Sequence, residues 1–294
     1  MPAELSLHAV WLKPAFTVVC LALLWSWETL FPFFERRRGR LRHGGHNLAI
    51  ALFNTVVLAL LFGVVTVIVA QWAARNDLGL LHQIEMPWPI RLLSAVLLLD
   101  AWLYLWHRLN HAVPLLWRFH RMHHADNEMD VTTATRFHLG EHIGASVLRL
   151  GLIPLLGIEV LHLLVYETLV VGITMFHHAN ISLGRWDAPL RWLIVTPFMH
   201  KVHHSRRRPE TDSNYSTLFS FWDRLFRSFR TRADCSTIEL GLDGFDDPRW
   251  QTFGGMLKTP FLDAPSRSGP RGEGPRAGDS EGDAIVEEIP QSRK

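Results

Sequence analysis

Three short histidine clusters decide the fold of this chain: His107-Arg-Leu-Asn-His111, His120-Arg-Met-His123-His124 and His200-Lys-Val-His203-His204. Residues three and four apart lie on one face of an α-helix, so each cluster predicts a helix that presents its imidazoles on a common side. One HxxxH pattern alone is a weak signal, because packed and hydrogen-bonded histidines are common. Two copies of HxxHH close to an HxxxH indicate a metal site built on helices.

Long apolar runs flank the clusters and predict membrane helices. Three of them cover Pro14 to Phe34, Leu48 to Ala74 and Ile90 to Trp106, and each is long enough to cross the hydrocarbon core. A fourth run, Ile143 to Phe176, has Pro154 and Gly157 at its middle, which predicts a helical hairpin broken there. The predicted fold is therefore all-α and integral to the membrane: about three transmembrane helices plus a membrane helical hairpin, capped by a helical histidine-cluster metal region.

The arginines after the first apolar run predict the orientation of the chain. They stand at positions 36, 37, 38, 40 and 42, and positive loops beside membrane helices stay in the cytoplasm. Two further crossings return the chain to that side at His107. We therefore expect the metal site to face the cytoplasm.

Composition excludes several other classes of protein. The net charge is +2 over 294 residues, and the arginines are grouped locally, so a broad nucleic-acid-binding surface is not expected. Cys20 and Cys235 are the only cysteines, which leaves neither a disulfide framework nor a thiolate metal site. We divide the chain into N-terminal transmembrane helices (1–95), a catalytic region (96–232), a peripheral segment (233–257) and a disordered tail (258–294).

The number of histidines predicts two metals rather than one. The three clusters hold eight histidines, His178 joins them, and a zinc site saturates at four ligands. Imidazole binds Fe, Zn, Cu and Ni, so the ligand type alone does not select the metal. A histidine-rich, cysteine-free site at a bilayer surface favours iron that oxidises a lipid, because unactivated C–H bonds require oxygen chemistry.

Further motifs resemble the fatty acid hydroxylase/sterol desaturase family. They are Leu116-Trp-Arg-Phe-His120-Arg-Met-His-His124, Arg136-Phe-His138, His178-Ala-Asn-Ile181, Thr196-Pro197, Asn214-Tyr215 and Trp222-Asp223-Arg-Leu-Phe226. The resemblance covers roughly residues 97–230. It implies an integral membrane di-iron oxygenase that uses O2 and external electrons to hydroxylate or desaturate a lipid. It also implies nine metal ligands: His107, His111, His120, His123, His124, His178, His200, His203 and His204.

Four other residues are predicted as ligands or as groups that hold a ligand in place. His138 and Glu141 belong to a family motif that often has proline where Leu139 stands here, and Asp223 lies in the closing motif. Asp100 is two helical turns before His107. It either accepts a hydrogen bond from the ring N–H of a ligand histidine or is an interfacial helix-end charge.

Three readings of the function remain open at this point. The first is the lipid oxygenase with two iron ions, whose substrate comes from the bilayer. It requires a separate electron donor (ferredoxin, cytochrome or reductase), because no haem- or flavin-binding module is evident. The second is a zinc-dependent membrane hydrolase, although no HExxH helix is present to supply its general base. The third is a non-catalytic membrane metal-binding protein.

Overall fold

The computed structural model describes residues 3–35 and 39–263, with side chains from residue 12 onward, and within these ranges the chain is helical with no β-strand. The longer helices are α1 (Ala3–Leu30), α2 (Arg40–Leu58), α3 (Val64–Arg75), α4 (Trp88–Ala112), α5 (Pro114–His124), α6 (Leu139–Leu156) and α7 (Val160–His178). The short ones are α8 (Asp187–Leu190), α9 (Pro197–His203), α10 (Arg208–Thr211), α11 (Phe221–Leu225) and α12 (Phe253–Lys258). A π-helical turn, Ala59–Gly63, joins α2 to α3. Turns of 3-10 helix cover Leu80–His82, Val131–Thr135, Gly184–Trp186, Cys235–Thr237, Pro248–Gln251 and Thr259–Phe261.

Four helical segments in the described part of the chain are long and apolar enough to cross a membrane: Arg40–His82, Trp88–Ala112, Leu139–Leu156 and Val160–His178. They indicate an integral membrane protein and confirm the predicted all-α fold class. Of the first predicted span, residues 14–34, the part up to Leu30 is helical as part of α1, but it is not among these four. The cytoplasmic orientation stays a prediction.

The predicted hairpin forms from α6 and α7, but its break lies at one residue rather than two. Pro154 lies inside α6, which continues to Leu156. A proline removes only its own hydrogen bond to the preceding turn, so the helix persists. Gly157 then ends it in the left-handed conformation at φ 76, which glycine adopts without strain.

A core between α3, α4, α6 and α7 holds the membrane helices together. It contains Ala70, Leu81, Ala95, Val96, Leu99, Ile153, Ile158, Leu163, Tyr166 and Leu218. Helix α1 packs against α7 further along, where a side chain on Gly172 would lie only 3.0 Å from the Phe16 ring. The histidine-bearing ends of α4 and α7 are thereby fixed relative to each other.

Proline residues set the start of the two short helices that carry HxxHH clusters. Pro114 stands in the first turn of α5 and Pro197 in the first turn of α9. Proline suits that position because the first helical N–H groups have no partner within the helix. Thr196 adds an N-cap by accepting a hydrogen bond from the Met199 N–H at 3.4 Å.

The segment after residue 232 packs onto the metal region. Cys235, Phe245 and Met256 are buried. Arg121 on α5 donates to the carbonyl oxygens of Thr259 and Leu262, each at 2.6 Å. The packed chain therefore extends past residue 258, where we placed the start of the tail. Residues 264–294 of that predicted tail lie outside the described residues.

Candidate metal centre

Five buried histidines from three helices converge on one point, and we call them the five-histidine group. They are His107 and His111 of α4, His120 and His124 of α5, and His203 of α9, and one ligand atom from each lies within 4.8 Å of all the others. Each pair on α4 and α5 is four residues apart, so one helix face carries both rings. Three helix ends are thus needed to assemble this group.

Four further buried histidines form an adjacent four-histidine group: His123, His178, His200 and His204, also with ligand atoms within 4.8 Å of one another. His123 follows His120 by three residues, and the centroids of their rings lie 5.5 Å apart. The two groups share a border, since the rings of His124 and His204 stack with centroids 4.6 Å apart. The structure therefore gathers all nine predicted ligands into two neighbouring sets, and metal binding by them stays a prediction.

The spacing of the nitrogens fits a metal better than it fits hydrogen bonds. Nε2 of His178 lies 3.1 Å from Nε2 of His123 and 3.0 Å from Nε2 of His200. The Nδ1–H of His178 points at the Thr174 carbonyl at 2.7 Å, so its Nε2 carries a lone pair that cannot accept well from two neighbours at once. Nitrogens bound to one metal at about 2.0–2.1 Å lie roughly 3 Å apart.

Buried nitrogens without hydrogen-bond partners support the same conclusion. Among the described residues, Nε2 of His107, Nε2 of His203 and both ring nitrogens of His204 have none. A buried polar atom without a partner costs roughly 1–3 kcal/mol. Metal coordination would satisfy Nε2 of His107 and of His203 and one ring nitrogen of His204, so the donor set fits two metals held mainly by neutral imidazole.

The cluster histidines outside the membrane helices are kept neutral. Burial lowers the pKa well below the usual value for His123, His124, His200, His203 and His204, and neighbouring imidazole charges lower it further. A metal binds only the neutral imidazole. These rings consequently offer lone pairs at neutral pH.

Backbone carbonyls fix the orientation of several ligand rings from behind. Nδ1 of His107 donates to the Tyr215 carbonyl at 2.8 Å, and Nδ1 of His203 donates to the Ser213 carbonyl at 2.6 Å. Both carbonyls belong to one loop, in which Asn214 adopts φ 53. Its side-chain amide holds the loop by donating to the Met199 carbonyl at 3.0 Å. Such contacts select the tautomer that leaves Nε2 free for a metal.

Two carboxylates support the five-histidine group in the same way. Glu141 accepts from Nδ1 of His120 at 3.0 Å, and Asp212 accepts from Nδ1 of His111 at 3.3 Å. Glu141 is thus placed as a residue that holds a ligand, which was one of its two predicted roles. The sequence analysis did not predict the roles of Asp212 or of the carbonyl oxygens of Ser213 and Tyr215. A backbone carbonyl has no side-chain signature, and the Asn214-Tyr215 motif was the available sign that this loop matters.

The structure corrects the predicted roles of His138 and Asp100. His138 caps α6, with Nδ1 accepting from the Gly140 N–H at 3.0 Å, and lies outside both histidine groups. Asp100 accepts no histidine proton: its carboxylate accepts from the N–H groups of Leu218 and Phe219 and the Trp222 indole at 2.9–3.2 Å. A buried carboxylate accepts hydrogen bonds from the donors that the fold brings to it, and here these belong to the loop before α11 and to α11 itself.

Asp223 supports the metal region indirectly. It is fully buried and accepts from the N–H groups of Tyr215 and Ser216 at 2.8 and 3.0 Å. Tyr215 in turn holds the ring of His107. Asp223 therefore acts through the loop rather than as a ligand.

Comparison with known proteins gives one family model and several relatives. Residues 92–228 match the model of the fatty acid hydroxylase family. Ornithine lipid hydroxylase of Rhizobium tropici is 28% identical over 256 residues, which cover 81% of this chain and 72% of that protein. Human alkylglycerol monooxygenase is 31% identical over 169 residues, which cover 54% of this chain and 35% of that protein.

Human cholesterol 25-hydroxylase is 24% identical over 145 residues, which cover 48% of this chain and 51% of that protein. The matched part thus spans about a third to a half of the two human relatives. No solved structure matches the chain at a comparable level of significance. All the relatives named here are lipid hydroxylases or monooxygenases, which confirms the prediction of an oxidoreductase.

Proposed function

We propose that this chain, whose residues 92–228 match the model of the fatty acid hydroxylase family, is a membrane-bound di-iron oxygenase that hydroxylates a lipid. The overall reaction is RH + O2 + 2e⁻ + 2H⁺ → ROH + H2O. The electrons come from a separate donor protein. Hydroxylation is preferred to desaturation because the relatives are hydroxylases and monooxygenases by name.

The observation that carries this proposal is the pair of adjacent histidine groups. Nine imidazoles exceed the ligand capacity of one metal, and the two groups meet where His124 stacks on His204. Bound iron would supply the one-electron chemistry that activates O2. Imidazole is a suitable ligand for iron. Buried neutral ligands also suit the oxidation of an apolar C–H bond.

The residues of the chain prepare the site for that chemistry. Burial lowers the pKa of the five cluster histidines on α5 and α9 described above, which favours the neutral imidazole. The carbonyl oxygens of Tyr215, Ser213 and Thr174 accept from Nδ1 of His107, His203 and His178, respectively. Since the orientations of these three rings are fixed before any metal binds, they need little reorganisation on binding. Burial of all nine rings also keeps bulk water from the reacting centre.

A lipid substrate fits the placement of the groups at the ends of membrane helices. His107 and His111 lie in the last turns of α4, and His178 is the last residue of α7. A lipid would therefore approach the histidine groups from the adjacent leaflet of the membrane. By analogy with the ornithine lipid hydroxylase, the substrate is a membrane lipid with a polar headgroup. The arginines at positions 36–42 favour a site on the cytoplasmic side of the membrane.

An oxygen-labelling experiment tests the proposal. Purified protein, supplied with iron, a reducing system and extracted membrane lipids under ¹⁸O2, should yield a lipid that has gained one ¹⁸O atom. The His123→Ala variant, which removes a ring of the four-histidine group, should yield none. A protein that contains only zinc and modifies lipid without O2 would instead establish the hydrolase alternative. Metal binding with no lipid product under any donor would favour the non-catalytic alternative.

A further inference from the structure

The four-histidine group is supported from outside the matched domain. Residues 92–228 carry the family match, yet α1 and α2 lie before it and reach the loops that follow two ligands. The contact is made by a buried ionic cluster in which Glu28 of α1 and Arg40 of α2 form an ion pair. Only 1% of Glu28 is exposed, so this carboxylate is committed to protein partners.

Glu28 joins two segments that carry ligands. One carboxylate oxygen, Oε2, accepts from the Asn180 N–H at 2.8 Å and from the Val131 N–H at 3.0 Å. Asn180 stands two residues after His178, and Val131 begins the helical turn in the loop after α5. The other oxygen, Oε1, accepts from the Arg40 guanidinium. The backbone after α7 is thereby tied to the loop that follows the second cluster.

Only a carboxylate satisfies all of these donors. Both oxygens of Glu28 face N–H groups, so glutamine in its place would turn its own NH2 toward one donor. The cation of Arg40 lies 3.7 Å from the centroid of the Trp25 ring on α1, which fixes it beside Glu28. Loss of the Arg40 charge leaves the buried Glu28 carboxylate without its counter-charge.

A second contact from α2 reaches the same loop. Nε2 of His43 lies 2.9 Å from Asp126, and Nδ1 lies 3.2 Å from Asp130. Both ring nitrogens face carboxylates, so His43 is placed to donate from both. Asp126 stands three residues after His123 of the four-histidine group, and Asp130 comes directly before Val131. Helix α2 therefore fixes the loop at two more points.

We infer that Glu28, together with Arg40, is a positioning residue for the four-histidine group, through which helices outside the catalytic domain set the geometry of one of the two metal sites. The inference rests on the proposed metal binding by the nine histidines. It assigns the N-terminal helices a part in the metal centre in addition to membrane anchoring. The supports described for the five-histidine group come instead from the carbonyl oxygens of Ser213 and Tyr215 and from the carboxylates of Glu141 and Asp212.

Titration of metal-free protein with Co²⁺ tests this inference, because the ligand-field absorption of Co²⁺ reports the geometry at each group. The His203→Ala background retains the four-histidine group, and the His204→Ala background retains the five-histidine group. Glu28→Gln should weaken Co²⁺ binding by about tenfold or more in the first background and alter its spectrum. In the second background the affinity should change by less than about twofold.

Two further variants keep the test decisive. Arg40→Gln removes the counter-charge of the same carboxylate and should give the same pattern of Co²⁺ affinities. It therefore serves as the test variant if Glu28→Gln does not fold. Lys13→Gln breaks the ion pair of α1 with Glu167 far from the metals and should leave Co²⁺ binding unchanged in both backgrounds. Equal affinity loss in both groups, or the same loss from Lys13→Gln, would overturn the inference. Failure of the unmutated chain to bind Co²⁺ would instead refute the metal sites themselves.

Discussion

Replacing Asp223 with asparagine should loosen the loop that orients His107. Oδ1 of Asp223 accepts from the Tyr215 N–H at 2.8 Å and from the Ser228 hydroxyl at 2.7 Å, while Oδ2 accepts from the Ser216 N–H at 3.0 Å. Asparagine keeps one carbonyl oxygen, which can still serve Tyr215. Its NH2 group would then face the Ser216 N–H. Both groups are hydrogen-bond donors, so the Ser216 N–H would lose its acceptor.

The cost follows from these contacts. A hydrogen bond to a charged acceptor contributes roughly 1.5–3 kcal/mol, and a buried donor left without an acceptor costs roughly 1–3 kcal/mol. Partial relaxation of the loop should leave a net destabilisation of about 2–4 kcal/mol. Since the Tyr215 carbonyl fixes Nδ1 of His107 at 2.8 Å, metal affinity of the five-histidine group should also fall by roughly 10–100-fold.

Thermal unfolding in detergent and metal titration measure the two effects. Asp223→Asn should unfold at a lower temperature than the unmutated protein and bind metal more weakly in the five-histidine group. Asp243→Asn is the matched control, because that carboxylate is 79% exposed and pairs only at the surface with Arg206; a change within about 0.5 kcal/mol is expected. Unaltered unfolding and metal affinity in Asp223→Asn would refute the reasoning.

Three other predictions follow from the geometry. His138→Ala removes the cap of α6 and should cost about 0.5–2 kcal/mol of stability while metal content stays unchanged; loss of metal would restore His138 as a ligand. Truncation after Lys258 should destabilise α5, because Arg121 loses both carbonyl acceptors, whereas truncation after Asp263 should not; equal melting temperatures of the two truncated proteins would contradict this. Acidification from about pH 7.5 to about pH 5.5 should lower both stability and metal content. The pKa of the buried cluster histidines is lowered in the folded state, so the unfolded chain takes up protons near its ordinary pKa of about 6.5 and folding weakens below it; an unfolding temperature independent of pH would show that the rings do not titrate this way.

Local spacing was enough to predict the ligand-bearing helices. The HxxHH pattern, with proline in the first turn, specifies α5 and α9, and the apolar runs specify the membrane helices. The division of the nine rings into five and four could not be predicted. It depends on where α9 lies against α5, which only the packing of the whole chain determines.

The misassigned residues show the same limit. Asp100 has a spacing to His107 that fits a ligand support, but the donors that reach it come from residues 218–222, distant in sequence. His138 belongs to a histidine-rich motif, yet its position before α6 makes it a helix cap. The ionic cluster of Glu28 was also missed, because no sequence pattern links a residue of α1 to the loops after α5 and α7.

The number and identity of bound metals test the central claim most directly. Elemental analysis of protein purified from iron-supplemented cells should give two iron ions per chain, one for each histidine group. His203→Ala and His204→Ala should each give one, and the double variant none. Three results would contradict the account. The first is a single metal in the unmutated chain, and the second is zinc in place of iron in protein that hydroxylates lipid. The third is two iron ions retained by both single variants.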